Sequence, residues 1–256
     1  MLRLGNRLGR ATFPVVVLLV ALAHGSPAQA RCQDSPKPRV DWTGCSKPQL
    51  MLSKDDLTGA VFTKAALTGT EFVGAKLAGA KLEDAEISHA RFDGADLSGA
   101  DLTKAVGWRA SFAKANLEKA NLSVANMSRA SFAQARLAGA NLTKSEMNRS
   151  DFTGADLSGV DMSKAELARV IFSNAKVTGV NFSFANLSRA RLSGADLSEV
   201  QMGGTHLYQT QLDGADLSRT AGLKQAQLDL ACGTKTTKLP PGLTAPKGWP
   251  CVEEDD

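Results

Sequence analysis

From Leu52 to Leu217 every fifth residue is apolar, beginning Leu57, Phe62, Leu67, Phe72 and Leu77, and only Gly107 breaks the run. Two positions before each of these stands a small residue (Ala, Ser, Thr or Val), except at Leu50 and Asp55. The positions between are mostly Asp, Asn, Ser, Thr, Gly, Lys and Arg. A period of five fits neither a helix at 3.6 residues per turn nor a strand at 2. It requires a chain that turns a corner at every repeat and points one large and one small side chain inward. A second period lies over the first: Phe72, Phe92, Phe112, Phe132, Phe152 and Phe172 are twenty residues apart. Four pentapeptides therefore close one coil, and successive coils stack like on like. The phenylalanines form one internal ladder and Leu77, Leu97, Leu117, Leu137 and Leu157 the ladder on the next face.

Units such as Ala95-Asp96-Leu97-Ser98-Gly99 and Ala195-Asp196-Leu197-Ser198 resemble the pentapeptide repeat family, whose unit reads A(D/N)LXX. The resemblance spans residues 50–219 and implies an all-β fold, a right-handed quadrilateral β-helix. At the ~4.8 Å spacing of stacked strands, such a rod is on the order of 40 Å long. Gly107 predicts a local hole or bulge. The segment 101–108 resembles 216–223, where the repeats end, and both read as the same backbone irregularity.

The flanks are of different character. Arg3, Arg7 and Arg10, an apolar run from Ala11 to Ala23 and Ser26-Pro27-Ala28-Gln29-Ala30 have the order of a secretory signal, cleaved after Ala30. Thirteen apolar residues are too few for a membrane span, which needs ~20, so no transmembrane segment is expected after cleavage. The mature chain is then periplasmic or secreted. Residues 31–49 read as an N-terminal cap and 220–256 as a C-terminal one. The latter is a short helix from Gly222 to Gly233, burying Leu223, Ala226, Leu230 and Ala231, followed by a proline-rich tail. All four cysteines lie in these caps, and four cysteines allow three pairings. Because a rod separates the ends, Cys32 with Cys45 and Cys232 with Cys251 are the favoured pairs. Zinc is the rival, but neither spacing resembles a Cys-x-x-Cys knuckle. Trp42 and Trp249 read as cap-packing residues.

Composition narrows the chemistry. Without the leader the chain is almost neutral, and residues 50–219 hold equal numbers of basic and acidic residues. The sequence calls for no cofactor or metal, and no nucleophile constellation stands out: serines and threonines belong to the repeat, and His89 and His206 face outward. One outward feature rises above the repeat. Arg109, Arg129, Arg149, Arg169 and Arg189 are twenty apart and stack in a column, with Trp108 and Tyr208 in the column beside them. Like charges ~5 Å apart repel unless paired or screened. Either Glu146, Glu166 and their neighbours neutralise this column or it is an anion-binding stripe. The first reading is a non-catalytic exported scaffold whose partner is a protein or an anionic component of the cell envelope, with no nucleic acid expected. The family resemblance supplies an alternative, since some cytosolic members mimic DNA and modulate topoisomerases; the neutral rod and the leader argue against it. A polysaccharide-active enzyme would need a cleft of clustered acids, and the repeats show none.

Overall fold

The computed structural model describes residues 32–251; the leader expected over residues 1–30 and the acidic terminus lie outside them. The pentapeptide is the structural unit throughout. In the coil that runs from Ala100 to Lys119, Leu102, Gly107, Phe112 and Leu117 point inward, one per side, and these residues name the four sides below. At each corner the chain makes a four-residue turn, closed by a backbone bond such as Ala105 N–H to the Leu102 carbonyl at 3.0 Å, except at Leu50, whose N–H bonds to the Thr70 hydroxyl. The second central residue has φ of 51–71° at every corner from Arg39 to Gly214 except Glu199, the signature of a type II turn.

The Asp or Asn of the motif explains itself here. Its side-chain oxygen accepts the N–H of the residue two positions on, as Asp101 does from Thr103 at 3.0 Å and Asn141 from Thr143 at 3.0 Å. That N–H sits inside the turn, where no backbone carbonyl of a neighbouring coil reaches it. Coils are joined by parallel pairing at a twenty-residue offset. Leu102 N–H bonds to the Asn121 carbonyl at 2.7 Å, Asn121 N–H to Ala100 at 2.9 Å, and Lys104 N–H to Ser123 at 3.1 Å. Single parallel bridges repeat this from Asp41–Val61 upward. The pattern thus begins with Val40 and Trp42, ten residues before the Leu52 at which the apolar period starts.

The interior is a set of vertical columns. From Phe72 to Phe172 the rings stack with centroids 4.7–5.5 Å apart and planes within 14° of parallel. Trp42 and Phe62 close the ladder at one end and Phe182 meets Phe172 edge-on at the other. The small residues behind the corners are buried, except the half-buried Ala175, and where they carry a hydroxyl it is satisfied. Ser150, Thr205 and Thr210 donate to the carbonyls of Met127, Phe182 and Leu187 at 2.7–2.8 Å.

Gly107 corrects the sequence expectation. There is no bulge: the turns and the inter-coil bonds pass through it unbroken. A Cβ on Gly107 would lie 2.4 Å from Met127 Sδ and 3.2 Å from Ile87 Cγ1, so the volume of the missing side chain is taken by the coil above. The segment 216–223 does not share this behaviour, since the lattice ends there. A break does occur where the sequence predicts none. No bridge joins Lys176 to Asp196, although Lys176 pairs with Asp156 and Asp196 with Asp216. The N–H groups of Val177, Gly179 and Asp196 lack the inter-coil backbone bond that their equivalents make.

The C-terminal helix is also shorter than expected. Helix α1 is Gln225–Leu228, and the residues it buries inward are Leu228 and then Ala231, whereas Ala226 and Leu230 are exposed. The chain then re-enters the lattice. Cys232 bridges Gln211 and Lys238 bridges Asp216, at offsets of 21 and 22 rather than twenty. Gly233 is no helix stop but the floor under Trp249: a Cβ there would lie 2.6 Å from the indole, whose Nε1 donates to the Ala231 carbonyl. The disulfides are local, Cys32–Cys45 and Cys232–Cys251. Trp42 is fully buried and Lys47 lies 4.1 Å over its ring.

Candidate interaction face

The corners decide the surface of the rod. Side chains at positive φ are disfavoured by roughly 1–2 kcal/mol, and glycine escapes this. At the two corners that bound the Leu117 side, glycine is common, as at Gly94, Gly154, Gly159 and Gly179. Across the rod, on the Gly107 side, no corner residue from Asp84 to Arg189 is a glycine. One of these corners carries Lys64, Lys104, Lys144 and Lys164, and the other carries the arginine column from Arg109 to Arg189. The carboxylates on this side and its corners are Glu83, Asp84, Glu86, Glu146 and Glu166, so nine cations face five anions. The repeats as a whole are balanced; this side is not.

The arginines are placed differently along their column. The Arg109 guanidinium lies 4.3 Å over the Trp108 ring, and His89 meets the same ring edge-on at 5.0 Å. Arg129 and Arg149 are exposed and form no ion pair among the described residues. Arg169 and Arg189 are half-buried, and Arg189 Nε donates to Gln209 Oε1 at 2.7 Å. Glu146 and Glu166 accept from the amides of Asn126 and Asn186 at 2.7 and 2.8 Å.

Apolar exposure gathers on the same side. Among the described residues seven large hydrophobic side chains are exposed, and five of them, Val106, Trp108, Val124, Phe184 and Tyr208, lie on the Gly107 side or at its lysine corner. Phe184 is 68% exposed at φ 60°, and Val124 also has φ 60°. A bulky aromatic and a β-branched residue are poor choices for a left-handed turn, and such strain gathers at functional positions. Phe184 has a prepared seat: a Cβ on Gly204, in the next coil, would lie 2.6 Å from its ring. Tyr208 and His206 stack nearly parallel at 6.4 Å beside it. The sequence reading found Trp108, Tyr208 and the arginines. It missed Val106, Val124, Phe184 and the lysine corner, which the same twenty-residue arithmetic applied to every column would have shown.

The opposite side holds carboxylates in tight local bonds. The Thr58 and Ser198 hydroxyls and N–H groups hold Asp56 and Asp196 below the usual carboxylate range. Burial pushes Asp156 up, but Ser158 and Lys176 outweigh it and the net shift is downward. Asp216, bonded by Lys238 at 2.8 Å and by Ser218, is held well below that range, and Lys238 is raised in return. No group of His, Cys, Asp and Glu among the described residues could hold a metal ion, and no helix there is long and apolar enough to cross a membrane.

Comparison with known proteins agrees with this architecture. Models of pentapeptide repeats match residues 56–94, 90–129 and 185–220, and a model of a pentapeptide repeat region matches 125–202. Among solved structures, a trypsin-treated variant of QnrB1, a plasmid-mediated fluoroquinolone resistance protein, is 20% identical over 76% of this chain and 91% of its own, with a TM-score of 0.58. HetL, a pentapeptide repeat protein involved in heterocyst differentiation regulation in the cyanobacterium Nostoc, is 29% identical over 80% of this chain and 93% of its own, with a TM-score of 0.34. A pentapeptide repeat protein of the Arabidopsis thaliana thylakoid lumen is 30% identical over 46% of this chain and 77% of its own, with a TM-score of 0.31. No curated protein sequence matches significantly. The chain belongs to the pentapeptide repeat family and folds as its right-handed quadrilateral β-helix.

Proposed function

We propose that this chain is an exported, non-catalytic interaction rod that binds an acidic partner along its Gly107 side. The observation that carries the reading is the segregation of charge: nine cations against five carboxylates on one side of a rod whose repeats are neutral overall. Arginine and lysine have displaced glycine there at turns that favour glycine, a cost the fold does not require. The two disulfides fit an oxidising compartment, as the leader does. The alternative, a DNA mimic acting on a topoisomerase, draws on the likeness in fold to a fluoroquinolone resistance protein, but mimicry needs an acidic side and this one is basic.

The test is a cross-linking pull-down from the envelope fraction of the source cells. It compares wild type with a variant carrying Gln at Arg109, Arg129, Arg149, Arg169 and Arg189. A partner retained by wild type and lost by the folded variant is the expected result. Equal capture returns the column to a solvated face.

A further inference from the structure

The five exposed hydrophobic side chains of the cationic side fall into two clusters. The first is Val106, Trp108 and Val124, with Trp108 held between Arg109 and His89. The second is Phe184 and Tyr208, with His206 stacked on the tyrosine and Arg189 at the neighbouring corner. Trp108 and Tyr208 occupy the same column and are separated by one hundred residues, five coils. At the spacing of stacked strands that is ~24 Å. Between them the surface is polar, built of Asn126, Glu146, Glu166 and Asn186.

We infer that these clusters are two anchor points for a single folded protein with an acidic surface, which lies along the Gly107 side and takes an aromatic anchor at each end of its footprint. This rests on the interaction-rod reading above and adds the class of partner and the residues that grip it. Protein interfaces concentrate their binding free energy in a few Trp, Tyr, Phe and Arg residues inside a polar rim. Both clusters have this composition. Charge complementarity selects an acidic occupant. A polysaccharide is the weaker fit, because Val106 and Val124 offer no flat ring to a sugar and three glutamates run down the centre of the face. A second copy of the chain is also weaker, since no other side carries a matching excess of carboxylate: the Leu117 side sets Asp56, Asp96, Asp156, Asp196 and Asp216 against Lys76, Arg136 and Lys176, an excess of two where the cationic side has an excess of four. The seat that Gly204 leaves under Phe184 holds the ring in place before any partner arrives, and such preorganisation lowers the entropic penalty of binding.

The experiment places a photo-reactive phenylalanine analogue at position 108, 208 or, as control, 176 in the full chain, cross-links in the source cells, and identifies the adducts. The captured protein is then purified and its affinity for the rod measured by calorimetry. The expected result is one acidic protein captured from 108 and from 208 but not from 176. Its affinity should fall at least tenfold in Trp108→Ser and tenfold in Phe184→Gly, with an unchanged melting temperature in both. Different proteins at the two positions, capture at only one, or equal capture at 176 would overturn the inference. Adducts with polysaccharide, nucleic acid or the chain itself would do the same, as would no adduct. A partner lost on replacing the arginine column but never captured from 108 and 208 would sink the anchors and leave the interaction rod standing.

Discussion

Two opposite sides of the rod share a backbone and differ in almost everything else. The Leu117 side has a regular interior, with leucine at 57, 77, 97, 117, 137 and 157, and glycine at many of its corners. The Gly107 side has an uneven interior (Ile87, Gly107, Met127, Met147) and long cations or exposed hydrophobics at its corners. The turns are alike on both, with φ of 66° at Gly159 and 60° at Arg149. The lesson is that the fold asks only for a corner and an apolar filling. The side that follows those demands closely is the structural one, and the side that departs from them has been shaped by something outside the fold.

That contrast can be broken most severely from the regular interior. Leu117→Ala should lower stability by about 2–5 kcal/mol, because a stacked leucine column cannot collapse onto the cavity; denaturant melts measure it, and a loss under 1 kcal/mol would mean the column is loosely packed. On the other side the sign of the intuition reverses. Gly107→Leu restores the repeat yet should destabilise by about 1–3 kcal/mol, since its Cβ already overlaps Met127 Sδ. Adding Met127→Ala should recover most of the loss. The corners come next. Gly159→Val, at a left-handed position with open space around it, should destabilise by about 1–2 kcal/mol, whereas Arg149→Gly should leave the melting temperature unchanged or raise it slightly. If both corners lose stability alike, the cations are structural. The smallest effect is on acidity. Asp56, Asp196 and Asp216 have folded values below the unfolded value of ~3.9, so their contribution is complete above that pH and is lost as pH falls through the depressed values. Asp216→Asn should flatten the acid limb of a stability-versus-pH curve and weaken the tie to Lys238; an unchanged limb would show that the exposed pair is screened.

Most of the fold was legible because its physics is periodic. A five-residue rhythm states that the chain turns, and the twenty-residue phenylalanines state how many turns close a coil. The Gly107 filling was harder to read, since the atom that matters belongs to Met127, twenty residues on. It is visible in the column Ile87, Gly107, Met127, where a large, an absent and a flexible side chain follow one another. In the C-terminal cap the disulfide was legible, but the extent of the helix and the register of the chain beyond it escaped because nothing there repeats. The one-turn helix shifts the register, and Cys232 rejoins the lattice at an offset the period cannot supply. At the candidate face the arginines announced themselves by number. Phe184 and Val124 did not, because an apolar residue in a sequence full of apolar residues is noticed only once its corner position is known.

The twenty-residue register also sets rules for how such a chain can change length. Removing or duplicating twenty residues slides the outer columns along the axis by one strand spacing, ~4.8 Å, and leaves every face intact. Removing five turns everything beyond the cut by a quarter revolution. Arg189 would then leave the line of Arg109 and stand at a neighbouring corner, although each pentapeptide remained well formed. Whole-coil changes preserve a surface that extends over many coils, whereas single-repeat changes keep the fold and scatter that surface. Length variation in relatives that share this face should therefore come in multiples of twenty.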